Sequence, residues 1–319
     1  MAATAMPTAG VTQPGASSAE GIAVLGCFLV NRPDLAIQML RSIDHPVHTL
    51  VMVHHEDSRG QTNREVDTLM QQLEQGTVNL GHQHVKRVLV KHQAVNLGFS
   101  AGVNQIIRAV PDAPYWLVAS NDVSFRPGSL AEVARRMADS ADEHSSSCVW
   151  GLCGDPVSQY ASFVITQRAV RTVGYWDENF WPAYAEDCDY TVRLVRGNCP
   201  LLMESNPGRL AAHVGSAAWK TTAGSSNLAR FVQRGGPTFN NFDYLGAKWG
   251  GDVCGNRKVQ PPYMNLVGFA LPFNKQTGSL SDWKLDMGRR GRIGGPAQCF
   301  ICDSGSVPEL RLSAAPSTG

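Results

Sequence analysis

The sequence predicts an α/β fold in which a mostly parallel central sheet carries helices on both faces. Short apolar runs of strand length recur along the first two-thirds of the chain, and segments with helical periodicity separate them. These runs show little polar alternation, which is typical of strands buried on both faces. Because alternating strands and helices build parallel sheets, we expect one open sheet, Rossmann-like in its layering.

The elements follow in order from the first apolar run, at residues 22–30. Pro33 then begins a helix that extends to residue 43, since proline is favoured at the first helical position. The other predicted elements are strands at 49–53, 85–90 and 116–119, helices at 64–73 and 101–110, and a helix that starts near Glu186 and ends at Arg196.

Composition sets limits on size and on partners. The chain has 319 residues, of which 43% are hydrophobic, so it can bury a substantial core. Lys plus Arg (28) nearly balance Asp plus Glu (27), and the formal net charge is +1. No global field would recruit nucleic acid or anionic lipid, and we expect no nucleic-acid partner.

The two ends differ from the middle in composition. We expect residues 1–20 to be a disordered tail, residues 21–251 to be one domain, and residues 252–319 to be a partly disordered extension. There is no signal-peptide pattern and no apolar run long enough to span a bilayer, so we expect a soluble protein with no transmembrane segment.

The eight cysteines are irregularly spaced and do not suggest a disulfide scaffold. Cys299 and Cys302 form the one C-x-x-C pair and are interpreted as ordinary thiols, because no second pair or nearby histidine completes a zinc site. We expect reduced thiols that pack as small hydrophobes, and therefore a cytoplasmic location. This expectation covers the cysteines in the middle of the chain, Cys148, Cys153, Cys188 and Cys199.

Polar residues follow four of the predicted strands. Asn31, His54 and Asn96 come after the first three, and Asn121-Asp122 after the fourth. Open α/β sheets bind ligands at the carboxyl ends of their strands. Four polar loops at this edge therefore predict a nucleotide crevice.

Gly98 and Gly102 lie in a loop of small residues that leads into a helix. Their G-x-x-x-G spacing lacks the G-x-G-x-x-G pattern of dinucleotide folds, which disfavours a nicotinamide cofactor. The loop would let backbone approach an anionic ligand at the helix N-terminus. Close packing of helix on strand is an alternative use of the same glycines.

The segment GYWDENFWPAYAEDCDYTVR, at residues 174–193, combines aromatic residues with acids. An acid beside aromatic rings suits proton abstraction from a sugar hydroxyl. The alternative is a capped amphipathic helix behind a hydrophobic loop. Asp189 and Arg193 are four apart and form a favourable pair, whereas Asp187 lies about 200° around the helix from Asp189 and is left out of that pair.

Together these motifs resemble the family 2 glycosyltransferases of the GT-A fold, especially the rhamnosyltransferase-like branch. The resemblance covers roughly residues 22–251 and includes NRPD at 31–34, NLGFSAGVN at 96–104, SNDVSFRPGSL at 120–130, the segment at 174–193, LAAHVGSAAW at 210–219 and YLGAKWGG at 244–251. It implies an inverting enzyme that moves a sugar from a nucleoside diphosphate sugar to a hydroxyl of a glycan or glycoconjugate.

The resemblance also implies roles for individual residues. Asp187 corresponds to the catalytic base, and Glu186 to a supporting acid. Asp122 and His213 would hold a divalent cation, Mn²⁺ or Mg²⁺, on the diphosphate. The residues implied in donor binding are Asn31, Arg32, His54, Asn96, Gly98, Phe99, Asn104, Asn121 and Asp122. Those implied on the acceptor side are Trp176, Asp177, Glu178 and Trp181.

Two departures from the family pattern leave alternatives open. Ser120 stands where the family carries a first metal-binding carboxylate, which favours a weakened metal site or a glycan-binding module without catalysis. His54 and His55 stand where an aspartate usually ends the second strand, so UDP, dTDP and GDP all remain candidate donor nucleotides.

Lys248 and Trp249 could close over the donor or simply end a helix. A sugar nucleotidyltransferase is the other competing class.

Overall fold

The computed structural model describes residues 21–56, 64–78, 84–94, 96–139, 147–154, 160–181 and 183–213, together with Asn241, Leu245 and Trp249. The predicted tail, the extension from residue 252, the C-x-x-C pair and Lys248 lie outside the described residues.

The described residues form nine strands and six helices. In chain order these are β1 Ile22–Leu29, α1 Pro33–Arg41, β2 Val47–His55, α2 Arg64–Glu74, β3 Val85–Gln93, α3 Gly98–Ala109, β4 Tyr115–Ser120, β5 Val123–Phe125, α4 Ser129–Asp139, β6 Val149–Gly151, β7 Ser162–Thr166, α5 Gln167–Val173, α6 Glu186–Arg196, β8 Leu201–Met203 and β9 Ala211–His213.

The central sheet has seven strands in the order β3-β2-β1-β4-β7-β6-β8. The first four are mutually parallel, β7 runs antiparallel between β4 and β6, and β8 is parallel to β6. Strands β5 and β9 pair separately in an antiparallel ribbon. The predicted α/β class with a mostly parallel sheet is therefore confirmed.

Helices cover both faces of this sheet. Apolar residues of α1, α2 and α4 pack in one core cluster, and those of α3, α5 and α6 pack in a second cluster on the other face. Alternate residues of β1 divide between them, since Leu25 belongs to the first cluster and Val24 to the second. The strands are apolar on both faces because both faces are covered.

Two glycines set how closely α3 approaches β1. A Cβ added at Gly26 would lie 2.2 Å from Ile106 Cγ2, and one at Gly102 would lie 2.8 Å from Phe28 Cγ. Both distances are far below van der Waals contact. Close helix-on-strand packing is thus the role of Gly102, and it fixes the N-terminus of α3 at the carboxyl edge of the sheet.

The expectation of reduced thiols in the middle of the chain is wrong for three cysteines. Cys148 and Cys199 form a disulfide with their Cα atoms 5.5 Å apart, and Cys188 is also disulfide-bonded. Cys27 and Cys153 are buried thiols. Cys148 and Cys199 meet because they lie one and two residues before the paired strands β6 and β8. A separation of 51 residues hides this neighbourhood in the sequence.

Within the described part of the chain, no helix has both the length and the apolar character needed to cross a membrane.

Candidate active site

The loops after β1 and β4 meet at the carboxyl edge of the sheet, because these strands are parallel neighbours. Asn121 Nδ2 donates a hydrogen bond of 3.2 Å to the backbone carbonyl of Asn31. Arg32, in a left-handed conformation before α1, donates from Nε and Nη2 to Asp34 at 2.9 and 2.7 Å. Asp34, with a smaller contribution from Asp122, raises the pKa of Arg32 above its ordinary value. The structure thus brings the predicted residues Asn31, Arg32, Asn121 and Asp122 together.

Asp122 and His213 lie side by side, although 91 positions separate them in the sequence. His213 stands opposite Val123 in the β5–β9 ribbon, and its Nε2 is 3.3 Å from Asp122 Oδ2. Both side chains are partly exposed. One imidazole and one carboxylate with solvent access can hold a divalent cation together with a phosphate ligand.

Tyr184 connects this pair with the acidic start of α6. Its hydroxyl pKa is raised, first by desolvation and then by the negative charges of Glu186, Asp122 and Asp187. Their electrostatic influence indicates that the three carboxylates lie near one side chain that is 40% exposed. The predicted metal residue and the predicted catalytic acids thus lie near the same tyrosine.

The backbone at Tyr184 and Ala185 is strained. Both residues have positive φ, 77° and 72°, directly before α6 begins at Glu186. Such conformations cost non-glycine residues about 1–3 kcal/mol each and are found at functional sites. Asn241 Nδ2 supports this turn by donating to the carbonyls of Ala183 and Tyr184 at 2.8 and 3.0 Å.

Asp187 has the environment that a general base requires. It is partly buried, and its Oδ1 accepts a hydrogen bond from its neighbour Cys188 N at 2.8 Å. Desolvation raises its pKa above the usual carboxyl range, against the opposing effect of that backbone hydrogen bond. A raised pKa makes the carboxylate a stronger proton acceptor at neutral pH.

Asp189 is structural, as its predicted pairing with Arg193 indicates. Its Oδ2 accepts from Arg193 Nε at 2.9 Å, and both side chains are buried. Its Oδ1 accepts from Trp249 Nε1 at 2.9 Å. Trp249 packs with Leu245 against α6 and is buried, so the expectation that it closes over a donor is corrected.

Several residues expected at the ligand lie in or beneath the loop between α5 and α6. This loop carries Asp177 and Glu178 and is called the acidic loop below. Asn104 is fully buried, where its Nδ2 donates to the Trp176 carbonyl and its Oδ1 accepts from Trp176 N, both at 2.9 Å. The Trp176 ring is also fully buried and stacks on Tyr190 at 4.4 Å. Glu178 Oε1 accepts from Asn104 and from Arg108. In this structure the three side chains contact other residues of the protein, and their roles in ligand binding stay predictions.

Asp177 is likewise buried, and its Oδ1 accepts from the backbone and side chain of Asn179 within a turn. Its predicted role on the acceptor side stays a prediction. Trp181 is only partly buried, and its Nε1 donates to the Asn96 carbonyl at 2.6 Å. Asn96 Oδ1 accepts from Gly98 N at 2.9 Å. Trp181 and Asn96 therefore join the acidic loop to the loop after β3. Phe99, beside them, packs edge-on against Phe28 and Trp176.

The two histidines that end β2 point to opposite faces of the sheet, as strand geometry requires. His54 is 2% exposed, with its Nδ1 3.5 Å from Asp67 on α2, and its predicted contact with the donor stays a prediction. His55 faces Gln105 and Asn96, and burial lowers its pKa to about 4. Of the two, His55 is the one beside the loop after β3.

Tyr184 is the residue that sequence reasoning undervalued. The sequence gives it no more weight than Trp176, Phe180 and Trp181, and of these four aromatic residues it is the most exposed. No periodicity distinguishes it, since its position follows from the positive-φ turn before α6.

Comparisons with known proteins add a functional hint. No family model matches the chain. A "Galactofuranosyl glycosyltransferase" of Leishmania donovani is 29% identical over 199 residues, which are 59% of this chain and 44% of that protein. The chain therefore spans less than half the length of this relative.

Similar solved structures include S. aureus TarS 1–349 in complex with UDP-GlcNAc, at 12% identity and a TM-score of 0.49, covering 76% of this chain and 72% of that one. Another is the inositol-1-phosphate CTP transferase of T. maritima, at 10% identity and a TM-score of 0.37, covering 62% of this chain and 91% of that one. Similarities at this level do not decide between glycosyl and nucleotidyl transfer.

Proposed function

We propose that this chain is an inverting glycosyltransferase of the GT-A type that moves a hexosyl or deoxyhexosyl group from a nucleoside diphosphate sugar to a hydroxyl of a glycan or glycoconjugate. The observation that carries the proposal is the pairing of His213 with Asp122 at 3.3 Å, close to Tyr184 and the acidic start of α6. The similarity to a protein called a galactofuranosyl glycosyltransferase supports it. So does the resemblance to family 2 and its rhamnosyltransferase-like branch.

Each part of the site has a chemical task in this proposal. Asp122 and His213 hold Mn²⁺ or Mg²⁺, which offsets the charge of the diphosphate leaving group when it is bound. Asn31, Arg32, Asn96 and Asn121 line the nucleotide side. The aromatic faces of Tyr184 and Trp181 offer stacking surfaces for the acceptor.

The proposed glycosyl transfer needs one group that accepts the proton of the acceptor hydroxyl. The bond from the acceptor oxygen to the anomeric carbon forms while the bond from that carbon to the diphosphate oxygen breaks. The nucleoside diphosphate leaves with the electron pair. The acceptor proton passes to the Asp187 carboxylate, and Glu186 orients the acceptor hydroxyl.

The proposal is tested by incubating the protein with UDP-, dTDP- and GDP-sugars, including a galactofuranosyl donor, in the presence of Mn²⁺ or Mg²⁺. We expect one donor to raise the melting temperature and to release its nucleoside diphosphate slowly by hydrolysis. Pyrophosphate formed from a nucleoside triphosphate and a sugar phosphate would instead establish a nucleotidyltransferase. Glycan binding without any turnover would establish a binding module.

A further inference from the structure

A second cluster of potential metal ligands lies where β2, β3 and α2 meet. His54 is near the end of β2, His92 near the end of the adjacent β3, and Asp67 on α2. Each offers one ligand atom, and the three atoms all lie within 4.8 Å of one another. The proposed transfer reaction uses none of these three side chains.

The distances suit a single small cation. His54 Nδ1 is 3.5 Å from Asp67 Oδ1. Two ligands at about 2.1 Å from a tetrahedral ion lie about 3.4 Å apart, so this edge of the cluster already has the required length. The His54 and His92 rings meet edge to face with centroids 5.7 Å apart, and the half-exposed His92 has to move closer to reach the ion, because up to 4.8 Å separates the ligand atoms.

The fold buries the His54 side chain almost completely, with Nδ1 next to the Asp67 carboxylate. Its other ring nitrogen, Nε2, is buried and has no hydrogen-bond partner.

An additional carboxylate, that of Glu74, lies near His92, the more exposed of the two histidines. Glu74 Oε1 is 3.9 Å from His92 Nε2, and Glu74 lies seven residues after Asp67, two turns along the same side of α2. A carboxylate next to a metal-binding histidine commonly orients the ring.

We propose that His54, His92 and Asp67 bind a first-row transition metal ion, with Zn²⁺ the best match. Two imidazoles and one carboxylate form a set that zinc prefers, whereas Mg²⁺ and Ca²⁺ prefer oxygen alone. The ion completes its shell with water and ties α2 to the carboxyl ends of β2 and β3. This site shares no residue with the Asp122–His213 pair and does not depend on the proposed transferase activity.

The test measures metal binding directly on the full chain, by calorimetry with Zn²⁺ and by the visible absorption of bound Co²⁺. We expect Zn²⁺ to raise the melting temperature of the wild type. His92→Ala and Asp67→Asn, at partly exposed positions that should tolerate substitution, should each weaken Zn²⁺ binding beyond the 10- to 100-fold that is typical for losing an outer partner. His48→Ala, on the opposite end of β2, is the matched histidine control and should bind Zn²⁺ normally.

Two results would overturn the proposal. One is a wild type that binds no Zn²⁺ by calorimetry and gives no Co²⁺ spectrum. The other is a Co²⁺ spectrum that survives His92→Ala and Asp67→Asn but is lost in His213→Ala, which would move the ion to the other pair. Neither result depends on finding a sugar donor, so failure here is distinguishable from failure of the proposed function.

Discussion

Asp187 and Asp189 lie on the first turn of α6 but have different surroundings. Asp189 is enclosed by Arg193 and Trp249, and both of its oxygens accept hydrogen bonds from them. Asp187 points away from this pair and stays partly buried, close enough to Tyr184 to raise the pKa of its hydroxyl. The rotation of about 100° per residue separates a structural acid from a candidate base.

We predict that Asp187→Asn lowers glycosyl transfer about 100- to 10,000-fold, because this is the usual contribution of a general base. Asparagine keeps the shape and removes the proton acceptor. Donor and metal affinity, measured by calorimetry, should stay within error of the wild type. Near-normal transfer in this variant would move the base elsewhere, with Glu186 and Asp177 as the next candidates.

The pH profile gives an independent measure of the same group. Burial raises the pKa of Asp187, so its ionised, active form is lost at a higher pH than for an exposed carboxyl. The value of kcat/KM should therefore rise with pH through this elevated pKa, and the acid limb should lie above the usual carboxyl range. In Asp187→Asn the residual rate should lack that limb. An acid limb that persists unchanged in the variant would belong to another group.

Asp189→Asn should instead act on stability. Removing one charge of a buried pair leaves Arg193 uncompensated, which typically costs about 3–5 kcal/mol of unfolding free energy. Asp139→Asn is the control, because its i,i+4 pair with Arg135 is exposed and should contribute little. Denaturant unfolding of both variants measures the difference. Equal, small effects would mean that the Asp189–Arg193 pair is not buried as described.

At the scale of elements, the β5–β9 ribbon places the two proposed metal ligands side by side. Each strand has three residues, and their pairing places His213 opposite Val123 and next to Asp122. Strands of this length are too short to show a hydrophobic period, so neither of them was predicted from the sequence. The position of His213 was expected from the resemblance alone.

Asp122→Ala and His213→Ala should each weaken metal-dependent binding of the nucleoside diphosphate, and the double variant should be little worse than either single one. Residues that share one ion are coupled, so their effects do not add. Calorimetry with and without EDTA separates the metal-dependent part. Undiminished, EDTA-resistant binding in both single variants would exclude a shared cation at this pair.

At the scale of the whole molecule, the disulfides change the cellular compartment that the cysteines indicate. Cytoplasm was expected on the assumption of reduced thiols, whereas Cys148–Cys199 and the bonded Cys188 are typical of proteins that mature in an oxidising compartment. We therefore expect the protein to fold in such a compartment.

Loss of the Cys148–Cys199 bond should destabilise the protein by about 4 kcal/mol, the entropic estimate for a loop of this length. Cys148→Ser and Cys199→Ser should have similar effects, and the double variant should match either one, because each single change already breaks the bond. Denaturant unfolding measures the stabilities, and peptide mapping without reductant identifies the linked cysteines. Alkylation of both residues in the native, unreduced protein would contradict the bond.

The α/β class and one ion pair could be predicted from local sequence patterns. Continuous apolar runs predicted β1, β2 and β4, because a strand that is buried on both faces is apolar throughout. The four-residue spacing of Asp189 and Arg193 predicted their ion pair, because one helical turn brings the two side chains together. The fold class and the order of its main elements followed from such local rules.

Contacts between distant parts of the chain place some of the predicted site residues in the interior. Asn104 and Trp176 have side chains equally suited to a ligand or to the interior, and their mutual hydrogen bonds place them inside. The disulfide spans 51 residues and depends on the pairing of two three-residue strands. Contacts over such separations are set by packing of the whole chain, and no local pattern of residues encodes them.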